Sequence, residues 1–343
     1  MKKLLLFTLV IIVVALAGCT GVPEATDTIN TDISDTEIIT ETGDDVTMPD
    51  KYGECTPAEE FSYYKGADGI TINGYTGNAD EVIFPPVIDG IKVAVIVSPF
   101  KDIKEQVKKV VFPPALKIIN FASFMDNTSL QEVVFTGNEL ELIDEYAFKG
   151  CTSLKYVSDF PESLKRIGKE AFYGCVSLEH ISVSSNCIEG ESSTGAFAKS
   201  GLQSVELKSG VVSIAASAFV DCDIKKAVFP ETVERIEAFA FAGNTHMTEI
   251  VLNNGLKEID EQAFACTAVT EIVIPETVSV FCDDAFSGSP GFNAFKFEGN
   301  APEKFDHSDF MDEYVSGITI YSHEDTFEFR KIVAEYGYLY DRW

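Results

Sequence analysis

Two stretches of fifteen residues decide how this chain folds: IDEYAFKGCTSLKYV at residues 143–157 and IGKEAFYGCVSLEHI at residues 167–181. Aligned without a gap, they share an aliphatic residue, an Ala-Phe pair, a Gly-Cys pair and two later apolar positions. They begin 24 residues apart. A period of this size predicts a repeat architecture in which each unit buries its apolar face against its neighbours.

The Ala-Phe signal recurs along most of the chain at spacings of 22 to 25 residues. The recurring residues are Phe124, Phe148, Phe172, Phe197, Phe219, Phe241, Phe264 and Phe286, with Phe100 as a ninth candidate 24 residues earlier. After each one comes a short run in which apolar residues alternate with polar ones, such as LEHISV from Leu178. Alternation with period two predicts a strand with one buried face. One strand per unit therefore predicts a solenoid whose strands pair in parallel.

The unit Ile-x-x-x-Ala-Phe-x-Gly-Cys-x-x-Leu-x-x-Val is similar to the BspA-like leucine-rich repeat of bacterial surface proteins. The resemblance covers about residues 70–300. It implies an α/β-type solenoid, a right-handed superhelix with one parallel sheet, short helical or turn return limbs and capped ends. It also implies a cell-surface location, and protein or host-matrix adhesion as in some members, and it brings no catalytic residues. The copy at Phe197 departs from the pattern, because residues 191–195 lack the upstream aliphatic and Ser200 replaces the cysteine, so we expect a loop there.

The N-terminus predicts export. Lys2 and Lys3 precede an apolar run that is too short to span a bilayer and suits a signal peptide, residues 1–18. Its end, Leu-Ala-Gly-Cys at residues 16–19, resembles the lipobox of bacterial lipoproteins and implies that Cys19 carries the lipid; an ordinary secretory signal is the alternative. Residues 19–52 hold many acids and threonines and predict a flexible tether.

The remaining boundaries follow from where the repeat starts and stops. We assign residues 53–100 to an N-terminal cap with an irregular first repeat, residues 101–300 to the repeats and residues 301–343 to a C-terminal cap. In the last segment we expect a strand, a helix and a closing cluster of Tyr338, Tyr340 and Trp343, with a sugar-stacking site as the alternative for that cluster.

Charge and residue types exclude several functions. Acidic residues number 55 against 26 basic ones, a net charge of −29, so binding to nucleic acid is not expected and the membrane is contacted only through the lipid. Cys151, Cys175 and Cys222 share a repeat position with Asn and Ser, which indicates buried, reduced thiols over disulfides. No Cys-x-x-Cys pair and no metal-ligand spacing among the four histidines occur, so no metal or cofactor is expected.

Outward-facing strand positions provide the candidate binding site. Reading one such column along the concave face gives valines at both ends and polar residues between them, and a flanking column adds an aromatic and a histidine. The candidate residues are Val111, Val134, Tyr156, His180, Val228, Val251 and Val273. Exposed apolar patches can mark an interaction face, although valine is also simply a good strand former.

The sequence thus favours a non-catalytic surface module that binds a protein or a glycan, host matrix included. Two alternatives stay open: a secreted enzyme with its site in the Phe197 loop or the C-terminal cap, and a purely structural envelope protein.

Overall fold

The described residues lie between the tether and the C-terminus. The structure, a computed structural model, describes residues 46–101, 105–184, 188, 190–191, 194–306, 317–322 and 327–342. The predictions for residues 1–45, including Cys19, and those for Cys187, His307, His323 and Trp343 fall outside these ranges. Within them the chain forms a mostly parallel-sheet solenoid of about 11 turns, so the predicted fold class is confirmed.

One strand from each turn joins a column that we call the long-strand ladder. Its members are β3 (Glu81–Ile83), β6 (Lys109–Phe112), β8 (Glu132–Phe135), β10 (Tyr156–Val157), β12 (His180–Val183), β15 (Ser204–Leu207), β17 (Lys226–Val228), β19 (Glu249–Val251), β21 (Glu271–Ile274), β23 (Ala294–Phe297), β25 (Thr319–Ser322) and β26 (Leu339–Arg342). Consecutive strands pair in parallel within four groups: β3 to β10, β12 with β15, β17 with β19, and β21 to β26. Equivalent repeat positions therefore lie beside each other.

A second column, the return ladder, runs along the other limb of each turn. Its members are β2 (Ile70–Tyr75), β5 (Ile91–Ile96), β7 (Ile118–Ile119), β9 (Leu142–Ile143), β11 (Arg166–Ile167), β16 (Ser213–Ile214), β18 (Arg235–Ile236), β20 (Glu258–Ile259), β22 (Val280–Cys282) and β24 (Lys304–Asp306). Pairs such as Ile143 with Ile167 align the aliphatic that precedes each Ala-Phe pair. The sequence predicted one sheet. The second sheet was not predicted because most of its strands are only two residues long and show no alternation of apolar and polar residues.

The recurring phenylalanines form the core. From Phe124 to Phe286 each ring contacts the next at 5.0–5.7 Å between centroids, and every one of these pairs is stacked. All eight side chains are essentially inaccessible to solvent. Stacked rings add attraction beyond the apolar area that they bury. The column confirms that the repeats share one continuous interior.

The turn around each phenylalanine is held by its neighbour. Backbone N–H groups of Phe124, Phe148 and Phe172 each donate to a carbonyl in the following repeat at 2.7 Å. Residues two before and two after the ring commonly take positive φ, as Tyr146 and Gly150 do around Phe148. A side chain at such a φ is strained, so stacking must hold the turn in place. The return limb is thus a turn in most repeats and a short 3-10 helix at Asp283–Phe286.

The Phe197 repeat contains the expected interruption. A two-stranded antiparallel hairpin, β13 (Gly190–Glu191) and β14 (Thr194–Gly195), replaces the usual two-residue return strand. Ile188 instead forms an isolated parallel bridge with Ile167 and fills the aliphatic position from further upstream.

The ends depart from the repeat. At the N-terminal end β1 (Phe61–Lys65) pairs antiparallel with β2, and β4 (Val87–Ile88) pairs antiparallel with β5. Short 3-10 turns occupy Asp50–Tyr52, Ala58–Glu60 and Asp283–Phe286. Near the C-terminus α1 (Phe327–Tyr336) joins β25 to β26. Among the residues described, no helix combines the length and the apolar character needed to cross a bilayer.

Candidate binding surface

Three adjacent valines stand exposed on the outer face of the long-strand ladder. Val228, Val251 and Val273 expose 48%, 42% and 38% of their surface. Val228 and Val251 are register partners, which fixes their side chains next to each other on one face. We call these three residues the open column. Side chains held on a hydrogen-bonded ladder lose little further freedom when a partner covers them, which favours binding.

The other valine pair is buried, which corrects the sequence prediction. Val111 is fully inaccessible and Val134 is 8% exposed, and with Ile83 they form the covered column, a small apolar cluster on the same ladder. The residues that pack against it, Met48, Tyr52 and Cys55, come from the segment that precedes the solenoid. Strand alternation correctly turned both valines away from the core, but it could not show that another segment lies over them.

Backbone and side-chain contacts fix this cover segment, residues 48–56. The amide of Thr56 donates to the carbonyl of Ile83 at 2.9 Å, and the amide of Ile83 donates to Thr56 Oγ1 at 3.0 Å. At the other end Met48 Sδ lies 3.9 Å from Thr136 Oγ1. The cover segment therefore crosses the ladder from β8 to β3, roughly perpendicular to the strands.

Ion pairs border the valines. Lys226, Glu249 and Glu271 occupy the first position of their strands, whereas Lys296 is the register partner of Val273. Lys226 Nζ lies 2.6 Å from Glu249, and Lys296 Nζ lies 2.7 Å from Glu271. In the covered region Lys109 bonds Glu81 at 2.8 Å, and this hydrogen bond raises the pKa of the lysine. Exposed pairs of this kind stabilise a fold only slightly, by about 0–1 kcal/mol. Their effect here is to neutralise these charges, so that the open column stays locally apolar.

A shallow groove of about 460 Å³ lies at the N-terminal end of the open column. It is lined by His180, Ser204, Val205, Glu206, Leu207, Val228, Phe229 and Pro230. His180 is exposed and its Nδ1 lies 2.9 Å from Ser204 Oγ. The groove lies where the ladder is interrupted between β15 and β17, close to the point where the Phe spacing falls from 25 to 22 residues. The groove thus borders the open column at Val228.

Tyr156 lies one rung before His180, with 53% of its surface exposed, but its strand β10 is not paired with β12 and it does not line the groove. The structure therefore brings His180 and Val228 together at the groove, and pairs Val228 with Val251. Ser182, in the polar middle of the predicted column, is buried. The candidate site is thus one contiguous surface at the C-terminal half, and not two valine patches around a polar centre.

Three buried cysteines form hydrogen bonds to the backbone in the core. Cys151, Cys175 and Cys222 donate from Sγ to the carbonyl of Phe124, Phe148 and Phe197 respectively, at 3.1–3.2 Å, and Asn244 makes the same bond to Phe219 through Nδ2. Burial raises the pKa of Cys175 and of Cys222 to about 12. All six described cysteines are free thiols, which agrees with the prediction for Cys151, Cys175 and Cys222.

Other polar and aromatic groups offer no second site of comparable form. In the described ranges no group of three or more His, Cys, Asp or Glu side chains is placed to hold a metal ion. Tyr338 is buried and its hydroxyl donates to Asp283, so this ring is not available to stack on a sugar. An aromatic cluster that the sequence analysis missed lies at the turns, where Phe121 packs edge-on against Tyr146 and Lys149 lies over the Tyr146 ring.

The comparisons with known proteins agree with this architecture. The BspA type leucine rich repeat region matches residues 98–194 and 190–314 in six copies, which is more than half of the chain. The chain belongs to this family, whose members are generally non-enzymatic. No curated protein sequence matches significantly.

A solved structure shows the same fold at low identity, and two others are similar over much of their length. A leucine-rich repeat protein from Bacteroides ovatus ATCC 8483 is 21% identical, with a TM-score of 0.60 over 78% of this chain and 70% of that one. A leucine rich repeat protein from T. pallidum is 24% identical over 62% and 89%, with a TM-score of 0.44. A leucine rich cell surface protein from Faecalibacterium prausnitzii A2-165 is 18% identical over 74% and 95%, with a TM-score of 0.42.

Proposed function

We propose that this protein is a non-catalytic binding module that engages a protein partner through the open column and the adjacent groove. The observation that carries the proposal is the contrast on one ladder face: the chain covers its N-terminal valines and leaves Val228, Val251 and Val273 uncovered. An apolar patch on a rigid sheet is the surface that a partner can bury at small entropic cost. Glycans remain a less suited partner, because three valines offer neither an aromatic face nor hydrogen bonds.

The place where the module acts follows from the N-terminal sequence. We propose export and attachment to the bacterial surface through a thioether-linked lipid on Cys19, with the acidic tether between lipid and solenoid. Host-matrix proteins are then among the molecules that the open column would meet. Feeding cells an alkyne-tagged fatty acid tests the anchor: the full chain should become labelled, and a Cys19→Ala variant should not. Equal labelling of both forms would remove the lipid anchor.

The binding function is tested with purified full chain against a panel of extracellular-matrix proteins and a glycan array. The triple variant Val228→Thr, Val251→Thr and Val273→Thr keeps β-branched side chains but removes three apolar surfaces. We expect it to lose at least tenfold in affinity for a partner that the wild type binds.

A matched control is available in the same chain. Val176 and Val212 are also exposed, at 60% and 40%, and lie outside the open column. The Val176→Thr, Val212→Thr variant should bind as the wild type does. Equal binding by the triple variant and the control would exclude the open column as the binding surface.

A further inference from the structure

The cover segment shows that a short stretch of polypeptide can pack on the outer face of the long-strand ladder. It crosses three rungs, contains the short 3-10 turn Asp50–Tyr52, and places Met48, Tyr52 and Cys55 on the covered column. The open column also spans three rungs, β17, β19 and β21, of which β17 and β19 are paired. Rungs are about 4.8 Å apart, so its three valines extend over about 10 Å. The two columns thus offer apolar surfaces of similar size, and one already holds a short segment of polypeptide.

The charges around the open column are unbalanced on one side. Glu206 precedes Val228 in the same column, and Glu231 and Glu276 each follow a column valine by three residues. All three are exposed, and the ion pairs found among the described residues include none of them. Lys226 is already paired with Glu249, and Lys296, which is the register partner of Val273 at the end of the column, is paired with Glu271. The surplus around the valines is therefore negative.

We infer that the open column binds a short segment of a partner protein that carries apolar side chains together with Lys or Arg. The apolar side chains would cover the valines, while the long basic side chains reach the rim formed by Glu206, Glu231 and Glu276. This inference rests on the proposed function and names the chemistry of the partner.

The test uses three fluorescein-labelled decapeptides and fluorescence polarisation with the full chain. One probe alternates Lys with Val, the second Glu with Val, and the third Lys with Ser. The Lys-Val probe should bind at least tenfold more tightly than either of the others. Its affinity should fall as salt is raised, because the rim is exposed and therefore screened.

Two variants separate the apolar part from the charged part. The Val228→Thr, Val251→Thr, Val273→Thr variant should bind the Lys-Val probe at least tenfold more weakly. The Glu231→Gln, Glu276→Gln variant should lose severalfold and respond less to salt. Glu139 and Glu303 are exposed elsewhere, so Glu139→Gln with Glu303→Gln is the matched control and should leave binding unchanged.

The possible failures are distinguishable. If the Lys-Ser probe binds as tightly as the Lys-Val probe, the attraction is merely electrostatic and the inference is overturned. If the Glu-Val probe matches the Lys-Val probe, the rim has no role and the inference is again overturned. If no peptide binds but the matrix panel still shows binding that depends on the valines, the inference fails and the proposed function stands. If neither assay responds to the valines, both fail.

Discussion

The valines of the covered column and of the open column occupy the same position in the sequence repeat, but the first set is buried in the structure and the second set is exposed. Val111 and Val134 occupy the repeat position that Val228, Val251 and Val273 occupy later, and all five turn away from the phenylalanine core. The first two are buried by residues that lie more than fifty positions earlier in the chain, whereas the last three remain exposed. The alternation of residues along a strand therefore predicts which face of the sheet a side chain lies on. Whether that side chain is exposed to solvent depends on the other segments that pack on the same face.

The largest expected effect comes from placing a charge in each column. Val111→Asp would bury a carboxylate without a partner and should cost about 4 kcal/mol or more in the free energy of unfolding. Val251→Asp leaves its carboxylate in water and should cost less than about 1 kcal/mol. Urea denaturation of the two variants measures both values. Similar losses would mean that the two columns do not differ in burial.

Removing the apolar side chains of the cover segment should expose the covered column to solvent, as the open column already is. Met48→Ala with Tyr52→Ala strips two apolar side chains from the covered column, and we expect a loss of about 2 kcal/mol together with greater binding of an apolar fluorescent dye. Asp50 and Glu54 are exposed in the same segment, so Asp50→Ala with Glu54→Ala is the control and should change neither quantity. An unchanged dye signal in the first variant would show that the cover is not what shields the valines.

The smallest effect is a change in thiol reactivity at Cys55. This side chain packs on the covered column, and burial raises its pKa above the ordinary value of 9.0. A raised thiol pKa favours the folded state below pH 9, and that contribution is lost as the pH rises through the folded pKa. Alkylation by iodoacetamide should therefore be slow at pH 8 and accelerate with pH.

The same assay reports on the cover. Tyr52→Ala should raise the alkylation rate of Cys55 about tenfold, which corresponds to about 1.4 kcal/mol. Cys175, fully buried with a pKa of about 12, should stay unmodified in both proteins and so serves as the internal control. A rate at Cys55 that Tyr52→Ala leaves unchanged would contradict the contact between the segment and the column.

Much of the fold was predictable because the repeat pattern occurs eight times in the sequence. The Phe column, the alternating strands and the thiol position follow from spacings and residue types. The return ladder was not predictable, since two-residue strands such as Leu142–Ile143 have no period of their own. The positive φ two residues before each phenylalanine was not predictable either, because residues as different as Ala122, Tyr146 and Glu170 occupy that position.

The candidate site was predictable only in part. Alternation found Val228, Val251 and Val273, but nothing local to Val111 or Val134 indicates that Met48 and Tyr52 return to them. The groove at His180 lies beside a break in the ladder, and the Phe spacings do not show where the ladder breaks. Two of the rim glutamates, Glu231 and Glu276, lie outside the strands, where the alternation of strand residues gives no signal.

The hydrogen bond to each phenylalanine carbonyl has a consequence for how such a protein can change over generations. A thiol and an amide satisfy the same acceptor, through Cys151 in one repeat and Asn244 in another. Mutation can therefore exchange sulfur for nitrogen one rung at a time without disturbing the ring column. A lineage that moves into an oxidising habitat could shed its oxidisable side chains gradually and keep the same architecture throughout.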